Sequence, residues 1–116
     1  FARLIDRPWG RSESGDWQPA IDLYESGDAY YLVADLPGVD PKDIDLQVTE
    51  KAITLCGTRS TVRRINTPLR VFTERSHGQF SRTFEVTAAV DQKAVTSDYQ
   101  NGVYEAYLPK LKESAT

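Results

Sequence analysis

An all-β sandwich is the fold this sequence predicts, on three observations within its 116 residues. Apolar and polar residues alternate with a period of two in run after run, the pattern of strands with one face buried. Turn chemistry falls between the runs, most plainly at Pro37-Gly38 and Asn101-Gly102. No stretch carries an apolar stripe at helical spacing beyond a single turn. Seven or eight short strands therefore have only each other to pack against.

Residues 1–16 mix Arg3, Arg7, Pro8, Gly10, Ser12, Ser14 and Gly15 with scattered apolar side chains. That composition predicts a mobile arm rather than a packed element. The body begins near Trp17. Ile21 and Leu23 alternate with Asp22 and Tyr24, then Leu32, Ala34 and Leu36 with Tyr31, Val33 and Asp35. Pro37-Gly38 ends the second run, and Asp40-Pro41-Lys42-Asp43 predicts one helical turn capped by Asp40. A third run sets Ile44, Leu46 and Val48 against Asp45 and Gln47, and Ile53 and Leu55 mark a fourth. The link between them, Glu50-Lys51, lacks glycine and is a poor two-residue turn.

After Gly57 the chain turns polar and basic over 58–73, with Val62, Ile65, Leu69, Val71 and Phe72 as its apolar residues and Pro68 in the middle. The reading is a long loop with a short strand at 69–72. Strands resume with Phe80, Phe84 and Val86, then Val95, Ser97 and Tyr99, then Tyr104, Ala106 and Leu108. Asn101-Gly102 joins the last two as a type I′ turn, whose central positions both need positive φ.

Composition narrows function. With 14 basic and 17 acidic residues the formal net charge is −3, so no cationic field draws phosphate backbones or anionic lipid. Nucleic acid and membrane surfaces are not expected partners. No apolar run approaches the roughly 20 residues that cross a bilayer, and the N-terminal residues do not resemble a signal peptide. The single cysteine, Cys56, has no internal disulfide partner, which agrees with a reducing, cytoplasmic setting. Its place in a strand pattern marks it as a small packed side chain. The chain starts at Phe1 and holds no methionine, so translation is expected to begin elsewhere.

Groups for catalysis are scarce. His77 is the one histidine, in the turn-like Arg75-Ser76-His77-Gly78, and is expected to be an exposed loop residue rather than the base of a serine nucleophile. One histidine and one cysteine do not make an ordinary zinc site, and no Asp-rich calcium loop is present. Gly57-Thr58-Arg59-Ser60-Thr61 lacks the second glycine and the lysine of a phosphate loop. No catalytic residue, metal or cofactor is assigned, and ATP is not expected. Arg59, Arg63, Arg64, Arg70 and Arg75 with Phe72 form a basic cluster that suits a solvated or subunit-pairing loop better than a base-stacking platform. The aromatics Tyr24, Tyr30, Tyr31, Phe80, Phe84, Tyr99, Tyr104 and Tyr107 fall on both strand faces. They leave more apolar surface than one small sandwich covers, and that excess invites a partner.

Four ordered motifs over residues 16–110 give the chain a resemblance to bacterial small heat-shock proteins. Trp17-Gln18-Pro19-Ala20 followed by Ile21-Asp22-Leu23 is similar to the family's Trp-x-Pro-Ala and apolar-Asp-apolar run. Ala34-Asp35-Leu36-Pro37-Gly38-Val39 with Asp43-Ile44, then Glu74-Arg75 with Gly78-Gln79-Phe80-Ser81-Arg82-Thr83-Phe84, continue it. Asn101-Gly102-Val103-Tyr104 with Leu108-Pro109-Lys110 completes it, Tyr104 standing where the family usually has leucine.

The resemblance implies an α-crystallin domain over 17–110, after an arm remnant at 1–16, built as an immunoglobulin-like sandwich of two antiparallel sheets. It implies a homodimer in which the loop strand is exchanged between subunits, with Leu69, Arg70, Val71, Phe72 and Arg82 at the pairing surface. Arg82, flanked by aromatics on a central strand, is expected to have an acidic partner. A groove between Ile44, Leu46 and Val48 on one side and Val95 and Ser97 on the other is expected to take non-native clients or a C-terminal tail. The extension at 111–116 lacks the family's Ile-x-Ile/Val motif, and the arm is short by family standards; larger oligomers are expected when both arms are complete. The implied function is an ATP-independent chaperone, a holdase. A monomeric adaptor sandwich of the CS type and a hydrolase centred on His77 are the alternatives.

Overall fold

Each alternating run becomes a strand with its apolar side chains turned to one layer. The computed structural model describes residues 10–60, 69, 70 and 72–112. Among them the chain forms β1 (Gly10–Gly15), β2 (Ile21–Glu25), β3 (Ala29–Asp35), β4 (Ile44–Val48), β5 (Ala52–Arg59), β6 (Gly78–Glu85), β7 (Thr96–Gln100) and β8 (Val103–Pro109). These make two four-stranded sheets, ordered β1-β6-β5-β4 and β2-β3-β8-β7. All pairings are antiparallel. The all-β, two-sheet reading of the sequence is thus the architecture.

The core lies between the sheets. Tyr30, Leu32 and Ala34 of β3 and Leu108, Ala106 and Tyr104 of β8 point into it from one sheet, Ile53, Leu55, Phe80 and Phe84 from the other. Register fits size to size: Leu32 lies across from Ala106, and Ala34 across from Tyr104. Each fully buried leucine or isoleucine here contributes about 1.5–3 kcal/mol by leaving water.

The turns follow their chemistry. Asn101 (φ 54°) and Gly102 (φ 80°) both sit in the left-handed region, as the I′ turn requires. Gly102 also needs to be bare, because a side chain there would meet Pro37 at 3.0 Å. The Leu36 N–H donates to the Gly102 carbonyl at 2.7 Å, so the two signature turns touch. Asp40 caps the 3₁₀ turn Pro41–Asp43 by accepting from the Lys42 N–H at 3.1 Å. A second such turn, Gln92–Ala94, is capped by Asp91. The glycine-free hairpin closes through Thr49, whose N–H donates to the Ala52 carbonyl at 2.9 Å.

The structure differs from the sequence reading in three places. Gly10–Gly15 is not a free arm but β1, paired along β6 from Gly10↔Glu85 to Gly15↔Phe80. Backbone hydrogen bonding supplies that strand, and backbone groups are blind to the absence of apolar alternation. β5 runs on through Thr58 to Arg59, two residues into the expected loop. The strand expected at 69–72 is not seen at Leu69, Arg70 or Phe72, which belong to no strand in the isolated chain; Val71 and 61–68 lie outside the described residues.

Candidate functional site

β4 and β7 are each one of the two edge strands of their sheets, the others being β1 and β2. The inward positions of β4, namely Ile44, Leu46 and Val48, are only half-buried, although they pack on the core. In the other sheet, Val95 is half-buried beside the core, while Ser97, across from the core residue Ala106, remains exposed. An inward-facing residue left open to solvent marks a place the fold has not covered. Of the five residues expected to form a groove, Ile44, Leu46 and Val48 lie on the edge strand β4, Ser97 on the edge strand β7 and Val95 just before β7, and a sheet edge carries unpaired strand backbone.

Tyr104 lies at the margin of this opening, 7% exposed. Burial pushes its phenol pKa up, a hydrogen bond with Ser97 offsets this in part, and the Asp45 carboxylate on β4 raises it again. Strands β4, β7 and β8 thus meet electrostatically at one phenol. The neighbouring Tyr99 hydroxyl lies 2.5 Å from the Leu36 carbonyl and 2.8 Å from that of Val39, which ties the β7 edge to the Pro37-Gly38 turn. Cys56 is half-buried on β5, its Sγ 3.9 Å from Asp45 Oδ2. Burial, then the charge and hydrogen bond of Asp45, raise its thiol pKa. That is the setting of a packed, sluggish thiol.

The second surface is the excursion between β5 and β6. Leu69 and Phe72 are 90% and 85% exposed, an arrangement with little to recommend it unless something covers them. Arg82 does have an acidic partner: its Nη2 is 3.4 Å from Glu13 Oε2 on β1, and its Nη1 donates to the Pro19 carbonyl at 2.6 Å. Both partners belong to its own chain. Arg59, expected in a solvated or pairing loop, is instead a buried residue at the end of β5; only the convergence of Trp17, Pro37 and Ser76 around it reveals why. His77 is exposed, with Nδ1 3.5 Å from the Arg75 carbonyl.

Compared with known proteins, residues 22–116 match the Hsp20/alpha crystallin family. The chain belongs to that family. It is 38% identical over 112 residues to Spore protein SP21 of Stigmatella aurantiaca, covering 95% of this chain and 66% of that protein. A probable 15 kDa heat shock protein of Leptospira interrogans is 36% identical over 94 residues, covering 81% and 71%. Among solved structures, Heat shock protein 16.0 from Schizosaccharomyces pombe superposes with a TM-score of 0.75 at 28% identity, over 86% of this chain and 93% of that one. A small heat-shock protein from Xylella fastidiosa, whose crystal structure is described as a distinct high order structure, gives 0.73 at 31% identity over 87% and 93%. Membership of this Hsp20/alpha crystallin family supports a chaperone role in stress. No helix among the described residues is long and apolar enough to cross a membrane.

Proposed function

We propose that this Hsp20-family chain is an ATP-independent holdase that captures partly unfolded proteins in the β4/β7 groove. The observation that carries this reading is the run of inward-facing residues, Ile44, Leu46, Val48, Val95 and Ser97, left incompletely covered between two free sheet edges. An unfolding client exposes apolar segments and unpaired backbone, and such a groove answers both through strand addition and side-chain pockets. Covering ~400 Å² of apolar client surface at ~25 cal/mol/Å² is worth roughly 10 kcal/mol before ordering costs, so net affinity is modest and client choice broad.

In the same reading two copies pair through the excursion. Leu69, Arg70, Val71 and Phe72 add as a strand to a free sheet edge of the partner, satisfying backbone groups and burying the exposed Leu69 and Phe72. Arg82 lies at that surface through its contacts with β1. The setting is cytoplasmic, where a lone thiol stays reduced. A heat-labile client warmed with the chain and no nucleotide should scatter less light than the client alone. Equal scattering at several-fold molar excess of chain sinks the holdase reading; a clean monomer at tens of micromolar sinks the pairing and favours a CS-type adaptor.

A further inference from the structure

One charged group in the fold has a richer set of contacts than either surface above requires. Arg59, 9% exposed, donates from Nε and Nη2 to the Ser76 carbonyl at 2.8 and 2.5 Å, and from Nη1 to the Pro37 carbonyl at 2.9 Å. Its guanidinium lies 4.3 Å from the centroid of the Trp17 ring. Trp17 in turn donates its indole N–H to the Gly78 carbonyl at 2.9 Å and meets Phe80 edge-on at 5.3 Å. Next to it, Asp16 Oδ2 accepts from the Gln79 N–H at 2.9 Å, and the Asp16 N–H donates to the Gln79 carbonyl at 2.6 Å.

The placement matters. Arg59 and Gly78 are the last rung of the β5/β6 pairing, so the excursion leaves the sandwich at one and returns at the other. Arg59 bonds the returning limb at Ser76 from the root of the departing one, and with a third N–H it holds the Pro37 turn as well. Stability alone does not ask for this, since a well-packed apolar side chain often replaces a buried charge without loss. Burial and the nearby Arg75 both act against its charged form and lower its pKa. What a planar fork of donors supplies, and an apolar residue cannot, is fixed direction.

We propose that Arg59 is a positioning residue for subunit pairing, holding the returning limb at Ser76 and the Pro37 turn against the end of β5 so that the limb carrying Phe72 meets a second copy preorganised. This rests on the pairing reading above. A preorganised segment loses less entropy on association, so freeing its roots weakens the pair more than it weakens the fold.

The test is Arg59→Lys in the 116-residue chain, which keeps a positive charge on a long stem but loses the fork and the guanidinium over Trp17. Sedimentation on dilution should show the dimer dissociation constant raised about tenfold or more, while the thermal midpoint moves by only a few degrees. Amide exchange at Val39 and Gln79 should quicken, with Leu32 and Ala106 in the β3/β8 centre unchanged. A wild-type dimer that a folded Arg59→Lys matches within about twofold overturns this inference alone. A wild type that is monomeric throughout overturns the pairing reading and this with it. If Arg59→Lys does not fold, Trp17→Phe is read instead: loss of the indole bond to Gly78 should weaken pairing in the same direction by a smaller factor, and an unchanged dimer rejects the inference.

Discussion

The two flanks of this sandwich end in opposite ways. Where β1 and β2 meet, the chain completes its own bonding: Trp17 reaches Gly78, Asp16 closes on Gln79, and Arg82 joins Glu13 and Pro19. Along β4 and at the start of β7, Ile44, Leu46, Val48 and Val95 stay half-covered and Ser97 open. Period-two alternation built β2, β4 and β7, whereas β1 was added by backbone pairing to β6. In the proposed function, binding capacity resides not in a special motif but in the side of the layer where intramolecular contacts stop.

Substitutions should separate the flanks by kind of effect. Phe80→Ala, at a 2% exposed ring packed against Trp17, should cost about 3–5 kcal/mol of stability, read as the urea midpoint, with client capture falling only as far as unfolding explains. Leu46→Ser on the open flank should do the reverse. We expect a loss of about 1 kcal/mol in stability but most of the suppression of client light scattering; retained suppression would mean that the groove is not the capture site.

Tyr104→Phe sharpens the boundary between the flanks. Its folded-state pKa is raised above the ordinary 10.0, so the stability contributed by the buried neutral phenol is complete below pH 10 and lost as pH climbs through the folded value. The variant should lose about 1 kcal/mol near pH 8 through the Ser97 bond, yet show a shallower fall in melting temperature above pH 10 than wild type. An identical alkaline slope would place the phenol in solvent. The smallest effect belongs to Asp45→Asn. Removing that charge should lower the raised Cys56 pKa and speed its reaction with an aromatic disulfide severalfold at pH 8, and an unchanged rate would mean that burial alone restrains the thiol.

Much of this was legible before any coordinates. Alternation announced β2 to β8, Asn101-Gly102 announced its turn, and Asp40 its cap, because each is a local property of a few neighbouring residues. β1 was not legible: Gly10, Arg11, Ser12, Glu13, Ser14 and Gly15 have no apolar rhythm, and their pairing depends on a free edge some 70 residues away in sequence, as in Arg11↔Phe84. The partial exposure of Ile44, Leu46 and Val48 was legible only as alternation, since a half-buried β4 alternates like a buried strand. Arg59 was missed as a buried residue because its sequence neighbourhood is basic and polar; the Trp17 ring and the carbonyls of Pro37 and Ser76 come to it only through tertiary folding. A tryptophan before the first run and an arginine ending another, each without a local partner, were the available signal.

A phenol carries a single proton, and at Tyr99 two carbonyl oxygens, those of Leu36 and Val39, converge upon it. With both oxygens within hydrogen-bond reach, the one proton is shared between them as a three-centre bond. Such a shared bond fixes Tyr99 of β7 to two points of the turn at once. In the proposed reading the β7 rim of the groove is thereby held close to the Pro37-Gly38 turn, so a client meets an edge already set in place.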